Sequence, residues 1–314
     1  MTLDFERPIQ EIKDKIEELK QSKNKISTNK EIAKLRREKL ILTKKIFDNL
    51  SDWQIVQLSR HPLRPHLIEI IPLIFDNFQE LHGDRLYKDD KSLIGGLGNI
   101  NHEPVMIIGQ EKGRGTKDKI YRNFGMNYPE GFRKSLRLMK LAEKFSIPII
   151  TFIDTPGAFP GYQAEKRGQS QAIANNLVKI TKLNTPIIVV ILGEGCSGGA
   201  LGIGVGDITM MLEYSYFSVI SPEGCASILW KDPTRAPNAA KSMLITSKHL
   251  MKLNIIDKVI SEPLGGAHNN LEATSREIKK NIKISINTLK KLETSELRKK
   301  RHKKLMSYGV FSII

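Results

Sequence analysis

The sequence predicts an α/β fold on a largely parallel sheet, and three observations carry that prediction. Short apolar, β-branched runs recur through the middle of the chain, among them Pro148-Ile-Ile-Thr-Phe-Ile153 and Ile187-Ile-Val-Val-Ile-Leu192. Both are too short for isolated helices and are bounded by Pro or Gly, as strands covered on both faces are. Amphipathic helical stretches alternate with them. Each run also opens into a glycine-bearing loop, Asp154-Thr-Pro-Gly-Ala-Phe-Pro-Gly161 and Gly193-Glu-Gly-Cys-Ser-Gly-Gly-Ala200. Ligands of parallel sheets bind at the carboxyl ends of strands, so the two loops should face one cleft.

Taken in order, the first fifty residues read as a separable helical arm. Ile9, Ile12, Ile16 and Leu19 recur at helical spacing, and Ile32, Leu35, Leu42 and Ile46 keep the seam after a polar break at 22–29. That pattern predicts an antiparallel helical hairpin with charged outer faces. Residues 67–81 resume an apolar periodicity interrupted at Pro72. Residues 92–100 and 105–110 form a hairpin around the turn Asn101-His-Glu-Pro104. Helix 130–145, strand 148–153, helix 164–182, strand 187–192 and helix 198–205 then alternate. Short strands at 208–212 and 216–220, a helix after Ser221, helices at 233–246 and 247–253, and a last strand at 255–260 complete the core. A basic amphipathic helix at 271–292 and a tail from Ser295 close the chain. The expected organisation is an arm at 1–50, a core at 51–265 and a C-terminal helical extension at 266–314.

A chain of 314 residues, 40% of them hydrophobic, can bury a full core. It contains no apolar run long enough to span a bilayer and no signal sequence at Met1, which predicts a cytosolic protein. Its two cysteines, Cys196 and Cys225, form no C-x-x-C pair, so neither a disulfide framework nor a thiolate zinc site is expected. The net charge of +16 raises nucleic acid as a partner. Its distribution argues against that as the main role: the lysines lie in the terminal arms, interleaved with Glu, and no DNA- or RNA-binding module accompanies them. An anionic substrate or acidic partner uses the charge better.

Three stretches are candidates for chemistry. In the turn at 193–200, Ser197 can cap a helix whose first-turn amides at Gly198, Gly199 and Ala200 lack intrahelical partners, forming an oxyanion hole. The plainer reading, close packing of helix on strand, weighs about equally for a single glycine pair; the second glycine loop tilts the balance, and Gly157, Ala158 and Gly195 become candidate substrate contacts. The loop 111–122 places Lys112, Arg114, Lys117, Lys119 and Arg122 around Gly113 and Gly115, either a solvated surface loop or, as favoured here, a clamp for phosphates. Gly195-Cys-Ser-Gly-Gly199 also matches the nucleophile elbow of serine hydrolases, with Asp257 and His268 as the available partners. Nothing in the sequence positions His268, and Ser197 is equally well explained as a cap.

Phe124-Gly-Met126, Ile153-Asp-Thr-Pro-Gly-Ala-Phe-Pro-Gly161, Glu165-Lys-Arg-Gly-Gln-Ser-Gln171, Gly193-Glu-Gly-Cys-Ser-Gly-Gly-Ala200, Val219-Ile-Ser-Pro-Glu-Gly-Cys-Ala-Ser-Ile-Leu-Trp-Lys231, Glu262-Pro-Leu-Gly-Gly-Ala-His268 and Leu305-Met-Ser-Tyr-Gly309 together resemble the alpha subunits of bacterial acetyl-coenzyme A carboxylase carboxyltransferases. The resemblance covers 3–309. It departs from the family pattern at Cys196, where that pattern has glycine, and at Gly202, where it has alanine; both leave Gly198-Gly199-Ala200 intact.

The resemblance implies a crotonase-like spiral of β-β-α units and an α2β2 assembly with a beta subunit of related fold, which carries a zinc ribbon, while this chain holds no metal. It implies carboxyl transfer from carboxybiotin, borne on a biotin carboxyl carrier protein, to acetyl-CoA, giving malonyl-CoA for fatty acid synthesis. ATP is consumed by a separate biotin carboxylase. By analogy with related carboxyltransferases, the Gly199 and Ala200 amides hold the biotin oxygen and a glycine pair of the beta subunit holds the thioester enolate, or the two roles are exchanged. The liberated biotin nitrogen can act as base, so no Glu or His is required for that role, and Asp154 and Glu194 are read as structural.

Overall fold

The computed structural model describes residues 2–21 and 25–309. Helices α1 (Arg7–Gln21) and α2 (Lys25–Phe47) pack on each other as the expected arm, with Ile9, Ile16 and Ile32 buried along the seam. Part of the break expected at 22–29 lies outside the described residues, and α2 already begins within it. Helices α3 (Asp52–Ser59) and α4 (Leu67–Ile74) follow.

The periodicity expected to continue to residue 81 stops at Ile74, and Asp76–Glu80 forms an edge strand, β1. Its side chains are mostly exposed, so no alternating pattern marks it in the sequence. What holds it is backbone pairing with β2 (Leu93–Ile100): a Cβ on Gly96 would lie 2.1 Å from the Gln79 carbonyl oxygen. Strand β3 (Glu103–Gln110) pairs antiparallel with β2 through a two-residue turn. Both turn residues, Asn101 (φ 50°) and His102 (φ 65°), are left-handed, the twist a tight hairpin requires.

After α5 (Gly115–Tyr121) and α6 (Pro129–Lys144), strands β4 (Ile149–Thr155) and β5 (Ile187–Cys196) form the buried centre. Between them the single helix expected at 164–182 is two, α7 (Tyr162–Lys166) and α8 (Gln169–Ile180), broken where Gly168 turns left-handed at φ 81°. Next come α9 (Ser197–Leu201), β6 (Ile208–Leu212), β7 (Tyr216–Ser218), α10 (Pro222–Trp230), α11 (Ala236–Met243), α12 (Ser247–Lys252) and β8 (Lys258–Ile260). The sheet order is β1-β2-β3-β4-β5-β6-β8, antiparallel at the β1–β3 edge and parallel from β3 onward, with β7 extending from the end of β5.

Helices cover both faces, which explains why the central strands are apolar without alternation. Ile150, Phe152, Ile188 and Val190 face α4 and α13 (Leu271–Leu289), while Ile149, Ile153, Val189 and Ile191 face α6, α8 and α9. The stretch read as a tail from residue 295 is helix α14 (Thr294–Met306). One of its basic residues is not solvated at all. Arg301 is 1% exposed, pairs with both oxygens of Asp207 (2.8 and 2.7 Å), and donates to the carbonyls of Ile180, Leu183 and Thr185. It thereby locks the C-terminal helix onto the ends of α8 and β5. Among the described residues no helix is long and apolar enough to cross a membrane.

Candidate active site

Strand β5 does not stop at Gly193. Glu194, Gly195 and Cys196 continue it by pairing with Tyr216, Phe217 and Ser218 of β7. The chain then turns at Ser197, whose φ of 57° is left-handed, into α9. The helix spans five residues rather than 198–205, and its N-cap is Cys196; the Ser197 side chain makes no capping bond, so the capping role expected for it is not realised. The Gly202 amide donates to Gly198 O at 2.9 Å, and the same helical register assigns the Ala200 amide to the Cys196 carbonyl. Without intrahelical partners are therefore the amides of Ser197, Gly198 and Gly199. Ala200 is fully buried in the core, Gly199 is buried against the 157–158 loop, and Ser197 and Gly198 face the cleft.

The loop after β4 meets this turn, as the strand polarity predicts. Gly157 has φ 151°, and its amide donates to the Thr155 hydroxyl oxygen at 3.1 Å, while that hydroxyl's one proton is shared between the carbonyls of Gly125 and Gly157, both 2.8 Å away. A Cβ on Gly199 would lie 2.4 Å from Gly157 C and 2.7 Å from Ala158 N. Gly199 is thus the residue that lets the two loops touch. Gly198 is less confined: its nearest neighbour would be Ile173 Cδ1 at 3.2 Å. The cleft between the loops, about 410 Å³, is lined by Gly157, Ala158, Phe159, Ile173, Ser197, Gly198, Val219 and Ile220 among others. Gly195, also expected to touch substrate, does not line it; a Cβ there would strike the Phe217 ring at 2.8 Å, so Gly195 serves strand packing. The far side of the 156–161 loop is pinned by Gln169 Nε2, which donates to Phe159 O (2.9 Å) and Asn127 O (2.8 Å).

The loop expected to be a phosphate clamp is largely committed elsewhere. Gly115–Tyr121 is helical, and Lys112 is sunk between Asp154 (2.7 Å) and Glu194 (2.6 Å). Glu194 also meets Arg60 at 2.5 Å and the Tyr216 hydroxyl at 3.0 Å. Burial alone would raise the Glu194 carboxyl, but Lys112 and Arg60 outweigh it and hold the group at about 2. Burial would likewise lower Lys112, and its two carboxylates raise it instead. Arg114 is bound to Glu69 and to the carbonyls of Pro62 and Arg64, and Arg122 to Asp118 and Lys91 O. Lys112, Arg114 and Arg122 therefore tie strand ends and loops together; of the five cations, Lys117 and Lys119 remain exposed. The structural reading of Asp154 and Glu194 agrees with this geometry.

Ser197 has the left-handed geometry of a nucleophile elbow, yet the residues lining its cleft include no histidine. His268 is positioned, but outside this cleft: its Nε2 meets Glu6 at 3.1 Å and its ring stacks on His61 at 4.0 Å. Asp257 accepts the Thr209 amide and pairs with Lys304. The hydrolase triad is not assembled. Glu6, His61 and His268 bring one candidate ligand atom each within 4.8 Å of one another, but their hydrogen bonds already engage them. His61 Nδ1 accepts the Leu63 amide at 3.1 Å, which leaves the proton of the neutral ring on Nε2, and stacked rings do not aim their lone pairs at one point. Burial and then His268 push His61 down to about 4, so this buried cluster fastens the N-terminal arm to the core with His61 neutral.

A family profile described as acetyl co-enzyme A carboxylase carboxyltransferase-like matches residues 2–309. The chain belongs to this family. Its relatives include the acetyl-coenzyme A carboxylase carboxyl transferase subunits alpha of Francisella tularensis subsp. novicida (strain U112), 55% identical over 98% of each chain, and of subsp. mediasiatica (strain FSC147), 54% identical over the same shares. Solved structures of similar fold include transcarboxylase 12S (TM-score 0.57, 18% identity, 70% of this chain and 41% of that one). The beta subunit of Pseudomonas aeruginosa geranyl-CoA carboxylase is another (TM-score 0.55, 12% identity, 84% and 48%). The fold is thus crotonase-like, as the motifs imply, and the chain is a carboxyltransferase of the alpha-subunit type, a component of a multi-subunit enzyme.

Proposed function

We propose that the chain forms half of a site that moves a carboxyl group from carboxybiotin on a carrier protein to acetyl-CoA, the other half coming from a beta subunit in an α2β2 assembly. The observation that carries this reading is the contact of the two glycine loops, which sets the start of the α9 turn, Ser197 and Gly198, in one cleft with Gly199 directly behind it. Those residues fit a carboxylated ureido ring: the donors are neutral, and Phe159, Ile173, Val219 and Ile220 offer apolar walls. When bound, carboxybiotin supplies the carboxyl group and, as it leaves, an oxygen carrying negative charge. The Gly198 and Gly199 amides donate to such an oxygen with no reorganisation, and the apolar walls exclude water. Lys112 pairs with both Asp154 and Glu194, and with Arg60 it holds the Glu194 carboxyl low, so these carboxylates are occupied in the ionic network.

Within this proposal the zinc belongs to the beta subunit, ATP is used by a separate biotin carboxylase, acetyl-CoA approaches from the beta side, and the complex works in the cytoplasm on the way to fatty acids. The test is reconstitution with the beta subunit, followed by biotin-dependent decarboxylation of malonyl-CoA. The assembled pair is expected to turn over and the single chain to be inactive, since one set of donors cannot stabilise both anions. Turnover by the single chain, or none by the pair, contradicts the proposal.

A further inference from the structure

Gln110, the last residue of β3, is wholly buried and makes three hydrogen bonds with its side-chain amide. Nε2 donates to Gly199 O at 2.7 Å and to Asn127 Oδ1 at 3.0 Å, and Oε1 accepts the Asp154 amide at 3.1 Å. The amide orientation follows from its partners, because reversing it would set Nε2 against the Asp154 N–H and Oε1 against two acceptors. One planar group therefore holds the carbonyl of the glycine turn and the first amide of the 154–161 loop. The Gly199 carbonyl needs such a partner. Helix α9 ends at Leu201, and the Ile203 amide turns back to Ala200 O, so no helical donor is assigned to Gly199 O.

The support is continuous behind Gln110. Asn127 Nδ2 donates to Ser92 Oγ (2.7 Å), whose hydroxyl donates to Asp90 (2.7 Å), and the Asn127 carbonyl accepts the Phe159 amide (3.0 Å) from the loop itself. A helix of five residues has little rigidity of its own. Its end is set by buried amides: Gln110 on Gly199 O, and Asn176 on Gly202 O at 2.8 Å.

Resting on the carboxyltransferase reading of this cleft, we propose that Gln110 is a positioning residue for that reaction, fixing the spacing and tilt of the two glycine loops without touching substrate. Gln110→Met keeps the volume and removes all three bonds. Gln110→Glu keeps the acceptor for the Asp154 amide but can donate to Gly199 O only when protonated. An ionised carboxylate would face that carbonyl, which cannot flip, and burial favours the protonated form. The titratable groups packed nearby are Asp154 and Glu194, both paired to Lys112, and Asp90, which burial raises to about 6 against its bonds from Ser92 and Tyr128. Asp90 titrates in the wild type as well, so the variant is read against the wild-type profile.

The experiment measures kcat and KM of both variants, assembled with the beta subunit, across pH in the biotin-dependent malonyl-CoA assay. Gln110→Met is expected to lose about 10²-fold in kcat with KM nearly unchanged, the scale of a small misplacement of reacting groups. Gln110→Glu is expected to approach wild-type kcat at the acidic end and to fall away as pH rises. Wild-type rates in both variants, or a Gln110→Glu profile parallel to wild type, would overturn the inference. If Gln110→Met does not assemble, Gln110→Glu carries the test alone, since its active and inactive forms are one protein. Failure of the carboxyltransferase reading shows separately, in a wild-type complex that does not turn over.

Discussion

The glycine turn at 195–202 and the basic loop at 111–122 both leave the carboxyl end of a core strand, and both carry glycines, yet their polar groups have opposite fates. In the loop three of the five cations are consumed: Lys112 pairs with Asp154 and Glu194, Arg114 closes on Glu69, and Arg122 on Asp118. In the turn the side chains do little, and backbone amides are left over because a helix begins there. Charge in a sequence shows that a group is present but not that it is free. A helix start, by contrast, leaves free donors by geometry whatever the side chains are. The difference teaches that the proposed donors of this cleft are written in backbone, while the ionic groups beside it tie strand ends and loops together.

The contrast can be sharpened by mutating each region. Lys112→Met leaves the buried Asp154 without its cation and Glu194 with Arg60 alone, and is expected to destabilise the chain by about 3–5 kcal/mol. Removing the exposed Lys117 or Lys119 should stay within about 0.5 kcal/mol. Chemical denaturation of the three variants checks this, and equal effects would erase the distinction between structural and free cations.

Acid should attack the same network. The carboxyl of Glu194 sits at about 2 against an ordinary 4.5, a folded value below the unfolded one. Its contribution, about 3 kcal/mol, is therefore complete above pH 4.5 and lost as pH falls toward 2. Unfolding free energies of wild type and Glu194→Gln should converge in that window; a constant gap would refute the linkage.

A smaller effect than those of Lys112 and Glu194 concerns Ser197. Because it holds a left-handed φ and caps nothing, Ser197→Gly should relieve strain and stabilise the chain by about 1 kcal/mol, while Ser197→Ala gains no such relief. A thermal midpoint lowered by the glycine would show that the serine side chain has a structural partner after all.

Much of this was legible in the sequence, and the exceptions have physical causes. Strands β4 and β5 announced themselves because both faces are buried, and the Pro- and Gly-rich loops after them could only be turns. Strand β1 did not, since an exposed edge held by backbone pairing needs no pattern. Helix α14 looked like a solvated tail because Arg301, its anchor, stands in a run of exposed basic residues, Arg298, Lys299 and Lys300 among them, and nothing in the sequence sets it apart. Within the site, glycine spacing located the cleft but not the donor pair, which depends on where the first helical bond closes. Gln110 and Asn127 were missed altogether: a buried amide bridging two loops leaves no periodicity, and its only signal is a polar residue ending an apolar strand.

The central claim is that the Gly198 and Gly199 amides do the chemistry of this half-site. A valine at Gly199 would test it poorly, because the added Cβ strikes the Gly157–Ala158 peptide and moves the loop as well. The direct measurement replaces Gly198 or Gly199 by glycolic acid, turning one amide into an ester and deleting its N–H without adding an atom to the cleft, and compares kcat in the assembled complex. The account predicts a loss of about 10²–10³-fold for at least one of the two positions, the cost of a single oxyanion donor. Wild-type kcat with both esters, in complexes that assemble normally, would contradict it.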